Sequence, residues 1–384
     1  MLSKKNILVY VNNEFAGLEM ASLMYNKNYN LTVVIEFFSY NESVQNIFKI
    51  FSVLTKKIYL FKLNKKLIRF SLKSIKSILN NYEINSLLSK RIDNFHKKNN
   101  IIVNIFDEVW FTNDTSSKFS CINYKGKKKY FFHALIDMRN LKKLNPFKFV
   151  IKSIECFVDR NFFKIIPIYY NFFDGKYFSI IDRRILKKKS YYLPNIINFQ
   201  LYQNFVSKFY SNIKTKRNKK KIILINAHTF VGYDDEITKN YFKDLCKVIY
   251  VNLNNVYVLR EYKIVLKFKA IVNLKTQKMI LKIFKKSFKF VKIETDNMYY
   301  KDHLPIEIFA FFIKPKVLIS LNTTGDLIIK KLIPQIKIFD ISYFFSNFWI
   351  KNKNSMNRNH YEVLTSIFKF NTVFDFKFQK ILFK

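Results

Sequence analysis

One pattern constrains this chain most. From about Lys219 to about Trp349, short β-branched and aromatic runs alternate with amphipathic stretches. Ile222–Asn226, Lys247–Val251, Tyr262–Lys269, Phe290–Ile293, Val317–Leu321 and Ile336–Phe339 read as strands. Asp234–Cys246, Thr276–Phe288, Pro305–Phe312 and Thr324–Lys331 read as helices. Apolar residues every three to four positions bury one helix face, whereas short runs that are apolar throughout suit strands covered on both sides. A parallel return between neighbouring strands needs a crossover, which a helix supplies. The segment therefore predicts a doubly wound α/β sheet.

The first half repeats the theme less regularly. Ile7–Val11 and Leu31–Phe37 read as strands around a helical Glu14–Asn28. An amphipathic Ser43–Leu54, a strand Ile58–Phe61 and two helices, Leu67–Tyr82 and Ile84–Lys97, follow. Ile101–Ile105 and Glu108–Phe111 flank a turn at Asp107, and Tyr130–Phe132 begins another element. Ile165–Tyr170 and Tyr177–Ile181 lie either side of Phe173-Asp174-Gly175, which suits a hairpin. Phe199–Ile213 has helical spacing, and Lys214–Lys221 then holds six Lys/Arg in eight positions. A like-charge run resists burial and suits a linker. The expected organisation is a Rossmann-like domain over 1–213, a second over 219–349 and a closing segment over 350–384. A length of 384 residues fits two domains.

Charge bears on partners. Lys and Arg number 68 against 27 Asp and Glu, a net charge of +41. Gly (5) and Pro (6) are scarce while Lys, Asn, Ile, Phe and Tyr are inflated, the skew that AT-rich coding produces. Either origin leaves a positive surface that steers anionic ligands and favours an anionic membrane face. The three cysteines, Cys121, Cys156 and Cys246, form no CxxC and suggest neither a zinc site nor a disulfide framework. The apolar run after Met1 is too short for a signal core, and nowhere do 18 apolar residues run without charge. A cytoplasmic protein, peripheral on the inner membrane face, is the expectation.

Motifs narrow the chemistry. The sequence holds no GxGxxG, GxxxxGK[ST], HExxH or GxSxG, so dinucleotide, P-loop and metal chemistry are not expected. No nucleic-acid motif appears beyond the charge, which leaves non-specific nucleic-acid binding as one alternative. In doubly wound sheets ligands bind beyond the carboxyl ends of strands. Three segments fall there: Ala227–Glu236, Asn322-Thr323-Thr324-Gly325 and Leu304-Pro305-Ile306-Glu307. The Thr pair reads either as a phosphate site at a helix N-terminus or as a plain cap. Glu307 reads either as dipole compensation in a first helical turn or as an acceptor for a ribose diol.

The order of Lys267-Phe268-Lys269-Ala270, Leu304-Pro305-Ile306-Glu307-Ile308 and Ile319-Ser320-Leu321-Asn322-Thr323-Thr324 resembles the bacterial α-2,8-polysialyltransferase and lipooligosaccharide sialyltransferase group. The likeness spans roughly Lys219–Lys331. It implies paired Rossmann domains facing a central cleft (the GT-B arrangement), CMP-sialic acid as donor, a cell-surface glycan as acceptor and no metal or other cofactor. By position, Lys267 matches the lysine of a Lys-x-His-Pro motif, and Pro305 and Glu307 match a Pro-x-Glu helix start that holds the cytidine ribose. Thr323 and Thr324 match a hydroxyl pair near the phosphate or the sialyl carboxylate. Asp174 and Gly175 match the end of an acidic-acidic-Gly motif, and Asp174 would be the base. Lys269-Ala270 stands where His-Pro belongs, and Lys269 would stabilise the phosphate. Phe173 replaces the first acid. Asp174 alternatively caps a simple Asp-Gly turn, and His133 is a weaker base candidate beside Phe131 and Phe132. A catalytically inactive relative that binds a glycan or an assembly partner is the second reading.

Overall fold

A computed structural model describes residues 4–63, 75–112, 124–131, 176–179, 195–211, 220–227, 235–254, 257–268, 272–300, 304–320, 324–341 and 376–377, with Pro146, Val150, Ile154, Phe344 and Phe348. The chain divides into two compact units, Met1–Arg184 with Lys189–Phe209, and Ile185–Lys188 with Tyr210–Lys384.

The first unit runs β1 (Lys5–Val11), α1 (Glu14–Met24), β2 (Tyr29–Phe37), α2 (Glu42–Ser52), β3 (Ile58–Lys62), α3 (Ile75–Lys98), β4 (Glu108–Thr112), β5 (Lys127–Phe131), β6 (Lys176–Ser179), β7 (Asn195–Ile196) and α4 (Phe199–Phe209). Its strands form one parallel sheet in the order β3-β2-β1-β4-β5-β6-β7. The central strands are apolar along their length because helices cover both faces. Leu8, Tyr10, Val34, Val109 and Phe111 are fully buried. Tyr10, Phe111 and Tyr130 occupy one register row and stack at 5.4 and 5.3 Å between ring centres.

Two expectations for this unit need correction. Residues 75–98 form one 24-residue helix where two were expected. No glycine or proline separates Tyr82 from Ile84, so nothing stops the first helix. Ile101–Ile105 is no strand; Val103–Ile105 makes a 3-10 turn into β4. β6 pairs in parallel with β5 and β7; the expected hairpin turn at 173–175 lies outside the described residues. Residues 165–170 lie outside the described residues.

The second unit runs β8 (Lys221–Ala227), α5 (Asp235–Asn254), β9 (Tyr262–Phe268), α6 (Leu274–Ser287), β10 (Lys292–Thr295), α7 (Ile306–Ile313), β11 (Val317–Ser320), α8 (Thr324–Leu332), β12 (Lys337–Asp340) and β13 (Phe376–Lys377). The sheet is parallel, ordered β10-β9-β8-β11-β12-β13. Both sheets therefore grow outward from their first strand in both directions, which is the doubly wound Rossmann plan. The expected pair of Rossmann-like sheets is present. One element is corrected: Lys247–Val251 is not a strand but the last part of α5. Phe242, Leu245, Ile249 and Leu253 are all buried, at spacings of three and four. That period keeps one helix face on the core, and it overrides the β preference of Val248, Ile249 and Val251.

Candidate functional site

The carboxyl ends of the second sheet carry a transverse polar row. Asn226 pairs with Lys267, and Ile225 with Ile319, which sets Ser320 beside Asn226. Ser320 pairs with Asp340, and Asp340 with Lys377. On the other side Leu266 pairs with Thr295, which sets Asp296 beside Lys267. Every strand thus delivers a polar residue to one row: Asp296, Lys267, Asn226, Ser320, Asp340 and Lys377. The row just before it is Thr295, Leu266, Ile225, Ile319, Phe339 and Phe376, apolar but for the threonine.

Four of these groups, Asp296, Lys267, Asn226 and Ser320, are buried, and Asp340 is half-buried. Ser320 is 0% exposed, Lys267 2%, and Asn226 and Asp296 8% each. Lys267 Nζ donates to Asp296 Oδ2 at 2.8 Å and to the Phe268 carbonyl at 2.9 Å. Asn226 Nδ2 reaches Ser320 Oγ at 3.4 Å. Asp296 Oδ1 is buried and accepts no hydrogen bond among the described residues. An unsatisfied buried acceptor costs about 1–3 kcal/mol, which a bound donor group would remove. Asn226 and Ser320 also flank the point where the strand order reverses, between β8 and β11. Open α/β sheets bind ligands at that crevice.

The sequence candidates fall around this row. Lys267 is in it, but its charge is neutralised by Asp296 rather than left open to a phosphate. Glu307 is 0% exposed in the first turn of α7, with Pro305 at the N-cap position. Thr324 opens α8, and Asp326 is 0% exposed in that same first turn. Helices α7 and α8 pack together, and α7 also meets β8. Asp174, Lys269 and Thr323 lie outside the described residues, as do Phe173, Gly175, His133 and Ala270. Asn226, Asp296, Ser320 and Asp326 were not foreseen as site residues. Asn226 and Ser320 are the last polar positions of otherwise apolar strand runs, a signal present in the sequence. Asp296 follows β10, whose expected limits stopped too early to reveal it.

An ion cluster around the buried Glu294 carboxylate braces the β9–β10 edge. Lys263 lies 3.2 Å and Lys292 2.6 Å from the Glu294 carboxylate, and Tyr299 donates to it at 2.5 Å. Burial alone would raise the Glu294 pKa, yet hydrogen bonds from Lys292 and Tyr299 and the neighbouring Lys263 charge bring it down to about 2. Tyr299 also meets Phe309 of α7 edge to face at 5.7 Å, so the cluster ties the β10 connection to the helix that carries Glu307.

The first unit offers less at its carboxyl edge. The corresponding row is Leu60, Ile35, Val11, Thr112, Phe131, Phe178 and Asn195. The N-terminus of α1 is satisfied internally, because Asn13 Oδ1 accepts from the Phe15 and Ala16 amides. A cavity of about 520 Å³, lined in part by Asn104, Asp107, Tyr124 and Lys125, lies at the opposite, amino ends of β4 and β5. Among the described residues the first sheet's carboxyl edge also buries polar groups, Glu14, Glu36 and Thr112, but the transverse polar row is found at the second.

No protein-family model matches the sequence, and no curated protein matches it. Among solved structures, the glycotransferase of kitacinnamycin aligns over 96% of this chain and 95% of its own, with 7% identity and a TM-score of 0.46. A UDP-GlcNAc 2-epimerase from Neisseria meningitidis bound to UDP-GlcNAc covers 94% of this chain and 89% of its own, with 10% identity and a TM-score of 0.45. A sialyltransferase from Photobacterium damsela covers 96% of this chain and 81% of its own, with 11% identity and a TM-score of 0.45. At this level of likeness no activity or residue role passes from those proteins to this chain; what stands is a mixed α/β protein of two Rossmann-like units.

Proposed function

We propose that the second unit binds the nucleotide of CMP-sialic acid at the β8–β11 crevice and that the protein is a glycosyltransferase. The sugar would pass to a cell-surface glycan, a capsule or lipooligosaccharide chain, on the cytoplasmic side of the inner membrane. The observations that carry this reading are Asn226 and Ser320, buried at the strand-order reversal, and, two strands away in the same polar row, the Asp296 Oδ1 that accepts no hydrogen bond among the described residues. Asp296 Oδ1 accepts a hydrogen bond from a donor hydroxyl or amino group, and Lys267 holds that carboxylate in place. Glu307 takes the ribose diol, while Thr323 and Thr324 contact the phosphate. Asp174 removes the acceptor hydroxyl's proton as the oxygen bonds to the anomeric carbon. The bond from that carbon to the phosphate oxygen breaks, and Lys269 stabilises the departing CMP. The reading needs no metal or other cofactor.

CMP, CDP, UDP and GDP, each at millimolar concentration, should separate in a thermal-shift comparison, with CMP raising the melting temperature. Glu307→Gln keeps the side-chain volume and should abolish the CMP shift. No CMP-dependent shift in the unaltered protein would sink the proposal.

A second reading rests on Phe173 and Lys269-Ala270, which replace the acid and the His-Pro of the resembled group. The fold would then hold a glycan or an assembly partner without turnover. Release of CMP from CMP-sialic acid that Asp174→Asn or Lys269→Gln removes would exclude it.

A further inference from the structure

Helix α6 carries Lys275, Lys278, Lys282, Lys285 and Lys286, all exposed. At about 100° per residue they fall within an arc of about 100°. The buried Ile280 and Phe284 point the opposite way. No Asp or Glu occurs between Glu261 and Glu294, so the stripe has no acidic neighbour on its own helix. The adjacent α5 differs, since Asp244 pairs with Lys247 at 3.0 Å and Glu236 is exposed on its first turn. Like charges three and four apart destabilise a helix, and Lys275 in the first turn also opposes the dipole. Compositional skew supplies lysines, but it does not place five of them in one stripe on a helix that carries no Asp or Glu.

The stripe ends in exposed apolar groups. Leu274 is 67% exposed at one end of α6, and Phe290 is 75% exposed just beyond the other. The Arg260 guanidinium sits 5.3 Å from the Phe290 ring. Cations along a convex helix with apolar residues at both ends match a flat anionic interface, where ammonium groups meet headgroups and apolar side chains enter the acyl boundary. A nucleic-acid duplex would use the lysines and leave Leu274 and Phe290 without a role.

We infer that the outer face of α6, with Phe290, is a docking surface for an anionic lipid bilayer. This stands apart from the donor reading, since it uses none of the residues of the polar row. No helix among the described residues is long and apolar enough to cross a membrane, so the contact is peripheral.

The test is sedimentation of the full chain with vesicles of phosphatidylcholine alone or mixed with phosphatidylglycerol. Binding is expected only to the mixed vesicles. The triple variant K278E/K282E/K285E should lower the partition coefficient by at least about two orders of magnitude, given about fivefold for each of three cations lost near an anionic surface, with the added carboxylates repelled besides. A control, K56E/K57E/K98E, has the same net charge and alters exposed lysines of the first unit. It should bind nearly as the unaltered chain does. Phe290→Ser should weaken vesicle binding but leave retention of duplex DNA unchanged. Thermal melts of each variant confirm that it folds, and K278Q/K282Q/K285Q replaces the triple reversal if that variant does not. Equal losses in the stripe variant and the control would reduce the effect to net charge and overturn the inference. So would absence of binding to the mixed vesicles, or a Phe290→Ser variant that binds them undiminished.

Discussion

Lys267 and Asp296 show what a buried charge demands. Each is nearly out of water, and each is tolerable because the other lies 2.8 Å away. Removing one partner strands the other, at a cost of about 3–5 kcal/mol, whereas removing both can be nearly neutral. Lys267→Met should therefore destabilise the protein by about that amount in urea unfolding. Lys267→Met with Asp296→Leu should recover most of it, and failure to recover would show that Asp296 has work beyond neutralising Lys267. Carboxylates held low make a second statement. Burial would raise Glu108, but hydrogen bonds from Lys129, Lys5 and Trp110 bring it to about 2, as the cluster around Glu294 does for that residue. A carboxyl whose folded pKa lies below its ordinary 4.5 stabilises the fold at higher pH, and that stability is lost as pH falls through the folded value. Stability should thus fall between about pH 4.5 and 2, by roughly 2–3 kcal/mol per group. Glu294→Gln should flatten its share of that slope in acid titrations followed by circular dichroism.

Element boundaries were the least legible part of the sequence, and α5 shows why. Val248-Ile249-Tyr250-Val251 has strand composition, yet its apolar residues continue the three-to-four period set by Phe242 and Leu245. A short apolar run cannot be told from a helix tail until its neighbours are known. Glycine scarcity removes another cue. With five glycines in the chain, left-handed positions fall to other residues, at Asn26 (φ 67°), Asn100 (φ 53°) and Lys314 (φ 48°). Lys314 ends α7 just before Pro315, and its amide donates to the Ala310 carbonyl at 2.9 Å. A side chain in that conformation costs roughly 1 kcal/mol or more that glycine does not incur. Lys314→Gly should raise stability by about 1 kcal/mol in chemical denaturation. Lys314→Val should lower it, because β-branching adds to the strain.

On the scale of the molecule, the two sheets were legible because strand-helix alternation follows from elementary burial. The polar row was not, because it depends on register. Asn226 and Ser320 are 94 residues apart and meet only when β8 and β11 pair. Charge, by contrast, is fully written in the composition, and it has a consequence for the fold as a whole. At +41 the folded state concentrates like charge, while exposed ion pairs such as Lys221–Glu261 and Lys247–Asp244 contribute little. The Glu108 and Glu294 carboxylates are buried, although Lys5 beside the first is only half-buried and Lys292 beside the second is exposed, so these pairs respond less to added salt than fully exposed pairs do. Salt should then act chiefly on surface repulsion, over a screening length of about 10 Å at 0.1 M. Raising sodium chloride from about 10 mM to about 0.3 M should increase the melting temperature by roughly 4 °C, the equivalent of about 1–2 kcal/mol. Scanning calorimetry at fixed pH would measure it. A decrease over that range would mean that surface ion pairs, and not repulsion among the lysines, dominate the electrostatics of the folded chain.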